Sequence, residues 1–326
     1  MYDVITVGSA TIDAFAKTEA ELINIKTSKE EEALIAYPCG TKILINNLDF
    51  HTGGGGTNTG VAFSRLGLKT AFLGRLGNDS NADLILAELK KEKIDFIGMK
   101  GKIQTGYSVV LDSIEDDRTI LTYKGANSNL VYSEIKKSKL TTKWFYFSSM
   151  IGKSYKTLEK LAVYARKKGI MVAFNPSSYL AKAGTKFLRN LIKNTTLLVL
   201  NKEEAKYLVG HNPDIELLKN LSVLGPKIIV MTDGKNGVLV LSDRTVYKMK
   251  ANKVKIKETT GAGDSFASGF VAGLIYKNSV EFGLNLGMAN ASSVIKRIGA
   301  KNKLLTLNEA TKLFWKNSKI TKQKIK

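Results

Sequence analysis

The chain has 326 residues, 44% of them hydrophobic and 24% charged, so it can bury a substantial core without a disulfide or metal staple. Fifty Lys and Arg against 29 Asp and Glu leave a formal charge of +21, which admits nucleic acid, an anionic membrane surface or a phosphorylated ligand as partner. One cysteine, Cys39, and two histidines, His51 and His211, exclude an intrachain disulfide and a cysteine-cluster metal site and point to a reducing cytosol.

The first residues carry Asp3 and lack both a basic start and an apolar stretch of signal-peptide length, so the expected location is cytoplasmic. No apolar run approaches the roughly 18 residues that would span a bilayer, and no membrane partner is expected. Short apolar runs then alternate with amphipathic stretches, the pattern of parallel strands covered by helices. Strands are predicted near 2–7, 70–74, 143–148, 170–174, 196–200, 227–231 and 237–241. Helical patterns fall near 57–66, 80–93, 154–168 and 202–209, where apolar residues such as Leu158, Leu161, Ala162 and Ala165 recur at three-to-four spacing. Two longer helices are predicted at about 264–276 and 279–297, followed by a Lys-rich tail, 308–326, ending in a frayed helix.

Residues 14–52 and 103–124 break the alternation and read as antiparallel β pieces inserted into an α/β body. Paired in space they would form a small sheet over a cleft; left apart they are ordinary surface hairpins. With no repeat and no long linker, a single domain over 1–326 with a lid from those two segments is the simplest organisation.

The most specific stretch is Glu258-Thr-Thr-Gly-Ala-Gly-Asp-Ser-Phe-Ala-Ser-Gly-Phe270, a glycine-bearing turn running into an apolar helix. Gly261, Ala262 and Gly263 would present backbone N–H groups at the positive end of that helix, a ready anion site, with Asp264 at its start. Read alone, Asp264 is an N-cap and the glycines make a tight turn. A carboxylate beside an anion cradle suits phosphoryl transfer, which needs a base for the attacking hydroxyl and donors for the migrating charge.

Upstream, Gly53 to Gly56 let backbone approach a small ligand closely, and Asn58 can donate to and accept from hydroxyls. Asp13 follows the first strand, at the carboxyl end where open α/β sheets bind ligands. Asn201 and Glu204 open a helix after a strand, as a capping pair or as oxygen donors for a hard cation. Thr232, Gly234 and Gly237 form either a hairpin turn or a loop that meets phosphates. Other signals fall short. Gly152-Lys153-Ser154 resembles the end of a P-loop but has Phe147 where the first glycine belongs, and reads as a loop. The Gly53 run does not fit Gly-x-Gly-x-x-Gly. His51 reads as an exposed loop residue, and Trp144 and Trp315 lack the flanking pattern of a nucleic-acid stacking platform.

Together these residues resemble the ribokinase-like, or PfkB-type, carbohydrate kinases. Residues 259–264 match the C-terminal signature Asp-Thr-x-Gly-Ala-Gly-Asp, with Glu258 in place of its first acid. Gly53 to Asn58 with Val61 to Gly67 and Gly74 to Asp79 resemble the N-terminal signature, and Asn201 to Glu204 the Asn-x-x-Glu motif, in family order. The resemblance implies a three-layer α/β/α sandwich with a small β-sheet lid. It implies an ATP-dependent phosphotransferase acting on a hydroxymethyl group, with a ribose-like sugar as the favoured acceptor and a nucleoside or a phosphofructokinase-type sugar phosphate as alternatives.

By the same resemblance Asp264 is the general base, Gly261 to Gly263 the anion hole, and Asp13, Gly54, Gly55 and Asn58 the sugar site. ATP would meet Asn201, Thr232, Gly234 and Gly237, magnesium would be organised by Glu204 through water, and Glu258 would stand where relatives hold a monovalent cation. The insertion around Tyr37 to Lys42 would reshape the lid or form a homodimer surface, and Ser148 and Ser149 stand where ribose kinases use a carboxylate. A catalytically silent nucleic-acid-binding protein on the same fold is the rival of another class. Seven of the 50 basic residues are arginine and 43 lysine, a bias that speaks for a solvated surface rather than a groove-reading one.

Overall fold

A computed structural model of the chain describes residues 1–18, 21–26, 31–112, 118–297 and 299–325. Its centre is a ten-stranded sheet in the spatial order Ile320–Lys324, Thr245–Met249, Val238–Ser242, Ile228–Thr232, Leu197–Asn201, Met171–Phe174, Thr142–Phe147, Tyr2–Val7, Thr70–Leu73 and Asp95–Phe96. From Asp95–Phe96 to Ile228–Thr232 the pairs are parallel, and the remaining edge is antiparallel.

Strand periodicity distributes the apolar residues to two cores. In the central strands Ile5, Val7, Phe145 and Phe147 face one side, where Leu158, Leu161, Ala162 and Ala165 of the helix Gly152–Lys168 cover them. Val4, Trp144 and Tyr146 face the other, against Phe63 and Leu66 at the helix Gly55–Arg65 and Phe266 and Phe270 of the helix Ala262–Lys277. Both faces of the sheet are buried, as its near-continuous apolar strands require. The helix Val280–Val294 packs on Ala262–Lys277 through glycine pairs: a Cβ on Gly273 would stand 2.3 Å from Gly283 Cα, and one on Gly269 2.7 Å from Gly287 Cα. The glycines let the two helix backbones approach closely.

A second sheet has four strands, ordered Arg118–Tyr123, Gly106–Asp112, Thr11–Thr18 and Ile45–Gly53. The two inserted segments join through a parallel pair, Gly106–Asp112 with Thr11–Thr18, not an antiparallel one. Each flanking pair is antiparallel. A hairpin, Glu21–Lys26 with Glu31–Ala36, stands between two of these strands in sequence.

Three local expectations change. The tail ends in the strand Ile320–Lys324, which pairs antiparallel with Thr245–Met249, instead of a frayed helix. Its residues, Ile-Thr-Lys-Gln-Lys, carry no apolar run because an edge strand over solvent needs none. Gly152 to Ser154 open a helix rather than a loop. His51 lies on the strand Ile45–Gly53, its ring edge-on to Phe15 at 5.5 Å between centroids. Among the described residues no helix is long and apolar enough to cross a membrane.

Candidate active site

The helix Ala262–Lys277 begins at Gly261, whose φ of +78° is left-handed. A Cβ there would stand 2.6 Å from Ala300 Cα, so both conformation and space demand glycine. The Ala262 N–H donates to the Thr259 carbonyl at 3.1 Å, which closes the turn. That N–H is therefore engaged rather than free, and the open donors of the cradle begin at Gly263, which is exposed.

Asp264 does not cap the helix; the cap residue is Gly261, with no side-chain cap bond. Its Oδ2 accepts a hydrogen bond from Asn58 Nδ2 at 3.0 Å. Burial pushes the Asp264 carboxyl up to about 6, while the Asn58 bond and the Lys301 charge pull the other way. The side chain is thus ionised at neutral pH yet basic enough to take a proton.

Asn58 belongs to the first turn of Gly55–Arg65, which follows Gly54 at φ +92°. Asp13 lies on the strand Thr11–Thr18, opposite His51 on one side and Ser108 on the other. The glycines show how tightly these groups converge. A Cβ on Gly53 would fall 1.8 Å from Asp13 Oδ2, and one on Gly55 would fall 2.9 Å from Ser148 Oγ and 3.8 Å from Asp264 Oδ1. Ser148 follows the strand Thr142–Phe147, and its N–H donates to Val7 O at 2.9 Å. Asp13 Oδ1, Asn58 Oδ1 and Ser148 Oγ are buried and have no hydrogen-bond partner among the described residues. Leaving such atoms unpaired costs about 1–3 kcal/mol each, so together they mark a place for a hydroxyl-bearing ligand.

On the far side, Asn201 and Thr232 are register partners at the ends of adjacent parallel strands. Gly234 is exposed in the turn that follows. Gly237 is buried, with φ +100°, and a Cβ there would meet Met249 O at 2.1 Å, so the hairpin it opens requires glycine. Asn201 and Glu204 form a capping box. Asn201 Oδ1 accepts from Glu204 N at 2.8 Å, and Glu204 Oε2 from Asn201 N at 3.0 Å. Glu204 Oε1 accepts from Ser178 Oγ at 3.2 Å. Burial raises the Glu204 carboxyl against the pull of those bonds. Tyr146 links the two ends of the site: burial first, then the charges of Asp264 and Glu204, drive its hydroxyl well above the ordinary range, with Asn175 opposing. Glu258 Oε2 accepts the Gly299 N–H at 2.8 Å and ties the glycine turn to the segment after Val280–Val294.

Two lysines stand here without having been singled out from the sequence. Lys301 is 7% exposed, with its Nζ 2.5 Å from Glu88 Oε2 and 3.0 Å from Thr52 Oγ1. Lys124 is partly buried, with its ammonium 4.8 Å from the Tyr179 ring centroid. Among 43 lysines nothing in the local pattern marks either.

Residues 1–307 match the family model described as pfkB family carbohydrate kinase. The chain is 25% identical over 311 residues to an ATP-dependent 6-phosphofructokinase of Thermoanaerobacterium thermosaccharolyticum, covering 92% of this chain and 89% of the relative. It is 28% identical over 299 residues to a ribokinase of Haemophilus influenzae, covering 88% and 96%. Among solved structures, ribokinase of Arabidopsis thaliana complexed with ribose and ATP superposes with a TM-score of 0.82 at 22% identity, covering 96% of this chain and 98% of that one.

Proposed function

The chain belongs to the pfkB family of carbohydrate kinases, and we propose that within it this protein transfers the γ-phosphoryl group of ATP to a hydroxymethyl group of a sugar. One juxtaposition carries the reading. Asp264, with a carboxyl near 6, is bonded to Asn58 beside three unpaired buried polar atoms, at the start of a helix with open N–H groups.

In this reading Asp13, Asn58 and Ser148 pair with sugar hydroxyls, and the glycine backbone at Gly54 and Gly55 lets the ring lie close. The four-stranded sheet is the lid, and its closure excludes water from the transfer. ATP lies across Asn201, Thr232 and Gly234, with its γ-phosphoryl at the Gly263 end. Asp264 removes the proton of the hydroxymethyl group as that oxygen attacks phosphorus in line; the bond to the β-phosphate oxygen breaks and ADP leaves. The helix start and the Gly263 N–H stabilise the charge on the migrating group, while Gly261 and Ala262 hold the turn in shape.

Magnesium fits this donor set through water only. Both Glu204 oxygens already accept a hydrogen bond, and among the described residues no three His, Cys, Asp or Glu side chains form a metal-holding group. When bound, the cation would neutralise phosphate charge. Glu258 is committed to Gly299, and no step is routed through a monovalent cation.

The +21 charge finds no counterpart at this site, where a helix end and a few polar groups meet the anion. A cytoplasmic enzyme suits its ATP requirement. One face of the lid sheet leaves Leu48, Phe50, Leu121 and Tyr123 about half exposed, on strands whose register aligns them. A homodimer through that face is part of the proposal, and sedimentation of Phe50→Lys against the native chain tests it.

Relatives called ribokinase and 6-phosphofructokinase support two acceptor classes, a neutral sugar and a sugar phosphate. The experiment is coupled ADP release over ribose, fructose, fructose 6-phosphate, 2-keto-3-deoxygluconate and adenosine. Acceptor-dependent ADP release that Asp264→Asn abolishes is the expected result. No release above background with any acceptor overturns the reading.

A further inference from the structure

A small cleft beside the proposed sugar site, with room for about one water, gathers polar groups that the reaction above leaves unused. Ser9, Lys124, Ser128, Ser149 and Tyr179 are among the residues around it. They come from separate elements: the end of the first strand, the turn after Arg118–Tyr123, the end of Thr142–Phe147 and the short helix Ser177–Ala181. The fold therefore gathers them, and no local sequence motif does.

The Lys124 ammonium lies 4.8 Å from the Tyr179 ring centroid, in cation–π contact. It is partly buried and forms no ion pair with a carboxylate among the described residues. Burial pushes its pKa below the usual lysine value, and the Asp13 charge works against that shift. The hydroxyls of Ser9, Ser128 and Ser149 likewise make no hydrogen bond to another described residue. Lys124 thus meets hydroxyl groups and an aromatic face but no carboxylate among the described residues, an arrangement that a ligand of opposite charge would complete.

The cavity also adjoins the proposed sugar site. Lys301 acts electrostatically on both Asp13 and Asp264, whereas Lys124 acts on Asp13. Ser149 follows Ser148 directly, and Ser148 Oγ lies beside Gly55 and so near Asp264. The Gly56 N–H also donates to Ser9 O at 3.0 Å, so the cavity adjoins the residues proposed to hold the sugar on two sides.

We infer that Lys124, with the hydroxyls of Ser9, Ser128 and Ser149, binds an anionic group, phosphate or carboxylate, that the sugar carries at the end remote from the hydroxymethyl group transferred. The inference rests on the kinase reading and narrows it: the acceptor is a sugar phosphate or a sugar acid. Lysine suits this task as a compact point charge on a mobile stem, and serine hydroxyls donate to either oxyanion.

Calorimetric titration of the full chain, with a non-hydrolysable ATP analogue present, tests it using fructose, ribose, fructose 6-phosphate, 2-keto-3-deoxygluconate and inorganic phosphate. The expected result is that fructose 6-phosphate or the sugar acid binds at least about tenfold more tightly than either neutral sugar, a difference of about 1.4 kcal/mol. Lys124→Met and Lys124→Gln should each bring the ratio of charged to neutral affinity close to one, and Lys124→Arg should restore part of it. Competition by inorganic phosphate assigns the site to a phosphate, and its absence with sugar-acid binding assigns it to a carboxylate. Neutral sugars binding as tightly as both charged ones, or a preference that survives in folded Lys124→Met and Lys124→Gln, overturns the inference. Binding of a charged sugar through Lys124 with no ADP release to any acceptor instead counts against the kinase reading alone.

Discussion

The side-chain amide of Asn58 donates to Asp264 Oδ2 at 3.0 Å, joining the first turns of two helices 206 positions apart in the chain. The bond couples the residue proposed to hold the sugar with the residue proposed to take its proton. It favours the ionised carboxylate and so holds Asp264 below the value burial alone would give. Because the base must be ionised, kcat/KM should rise with pH through about 6 and level off above it. In Asn58→Leu the limb should move to higher pH, along with a raised KM for the sugar. A pH profile in which the limb of this variant coincides with the native one would remove Asp264 as its source.

Asp264→Asn separates chemistry from stability. Loss of the general base should lower kcat by about 10²–10⁴-fold while ATP binding changes little. The folded carboxyl lies at about 6, above its ordinary 3.8, so the folded state binds that proton more tightly than the unfolded state. Its contribution to stability is therefore full below pH 4 and is lost as pH rises through 6. Above that pH the native protein carries a partly buried charge that desolvation disfavours, and its removal should stabilise the fold by about 1–3 kcal/mol. Urea unfolding at pH 8 and pH 4.5 checks this: the variant should be the more stable at pH 8, and the gap should narrow at pH 4.5.

The reach of the sequence follows from how local each signal is. The turn at 261–264 is legible because glycine spacing, a carboxylate and an apolar helix lie in one short run. The central strands are legible because both faces are buried, which leaves runs such as Leu197 to Leu200. The parallel joining of Gly106–Asp112 to Thr11–Thr18 was not, since a side-chain period of two is the same for either pairing direction. Gly237 carries hairpin chemistry in the sequence, but its close approach to Met249 O is set by a strand pairing that no local window contains. Lys301 is buried by partners from residues 52 and 88, a placement no window around it contains.

That burial makes Lys301 a test of the charge network beneath the site. Its ammonium pairs with Glu88, its backbone oxygen accepts from Arg65 Nη1 at 3.0 Å, and Arg65 in turn pairs with Glu92 at 2.6 Å. Lys301→Met removes one charge and leaves Glu88 unpaired. The cost should be about 2–4 kcal/mol, less than for a fully buried pair because Glu88 keeps 24% of its side chain exposed. The double variant Lys301→Met with Glu88→Leu should recover most of that loss. Lys301 also lowers the Asp264 carboxyl, so both variants should shift the acid limb of kcat/KM to higher pH, including the one whose stability is restored. Denaturant midpoints and pH profiles on the same samples separate the two effects.

Gly53→Ala probes the proposed sugar side without replacing a charged residue. The added Cβ would stand 1.8 Å from Asp13 Oδ2, 2.6 Å from Asp13 Cγ and 2.9 Å from Thr11 Oγ1, closer than such atoms can approach. Asp13 lies on a strand held on both sides, so its side chain must rotate while the backbone stays. Gly53 ends the strand Ile45–Gly53 and is not in the left-handed region, so the added methyl brings no backbone strain of its own. The damage should therefore fall on acceptor recognition. KM for the sugar should rise about tenfold or more, since losing one good hydrogen bond to a charged group is worth about 1.5–3 kcal/mol. KM for ATP should stay within about twofold, because Asn201, Thr232 and Gly234 lie on other strands and turns. Steady-state kinetics with each substrate varied in turn gives both numbers. A rise confined to the ATP KM would place Asp13 outside the sugar site.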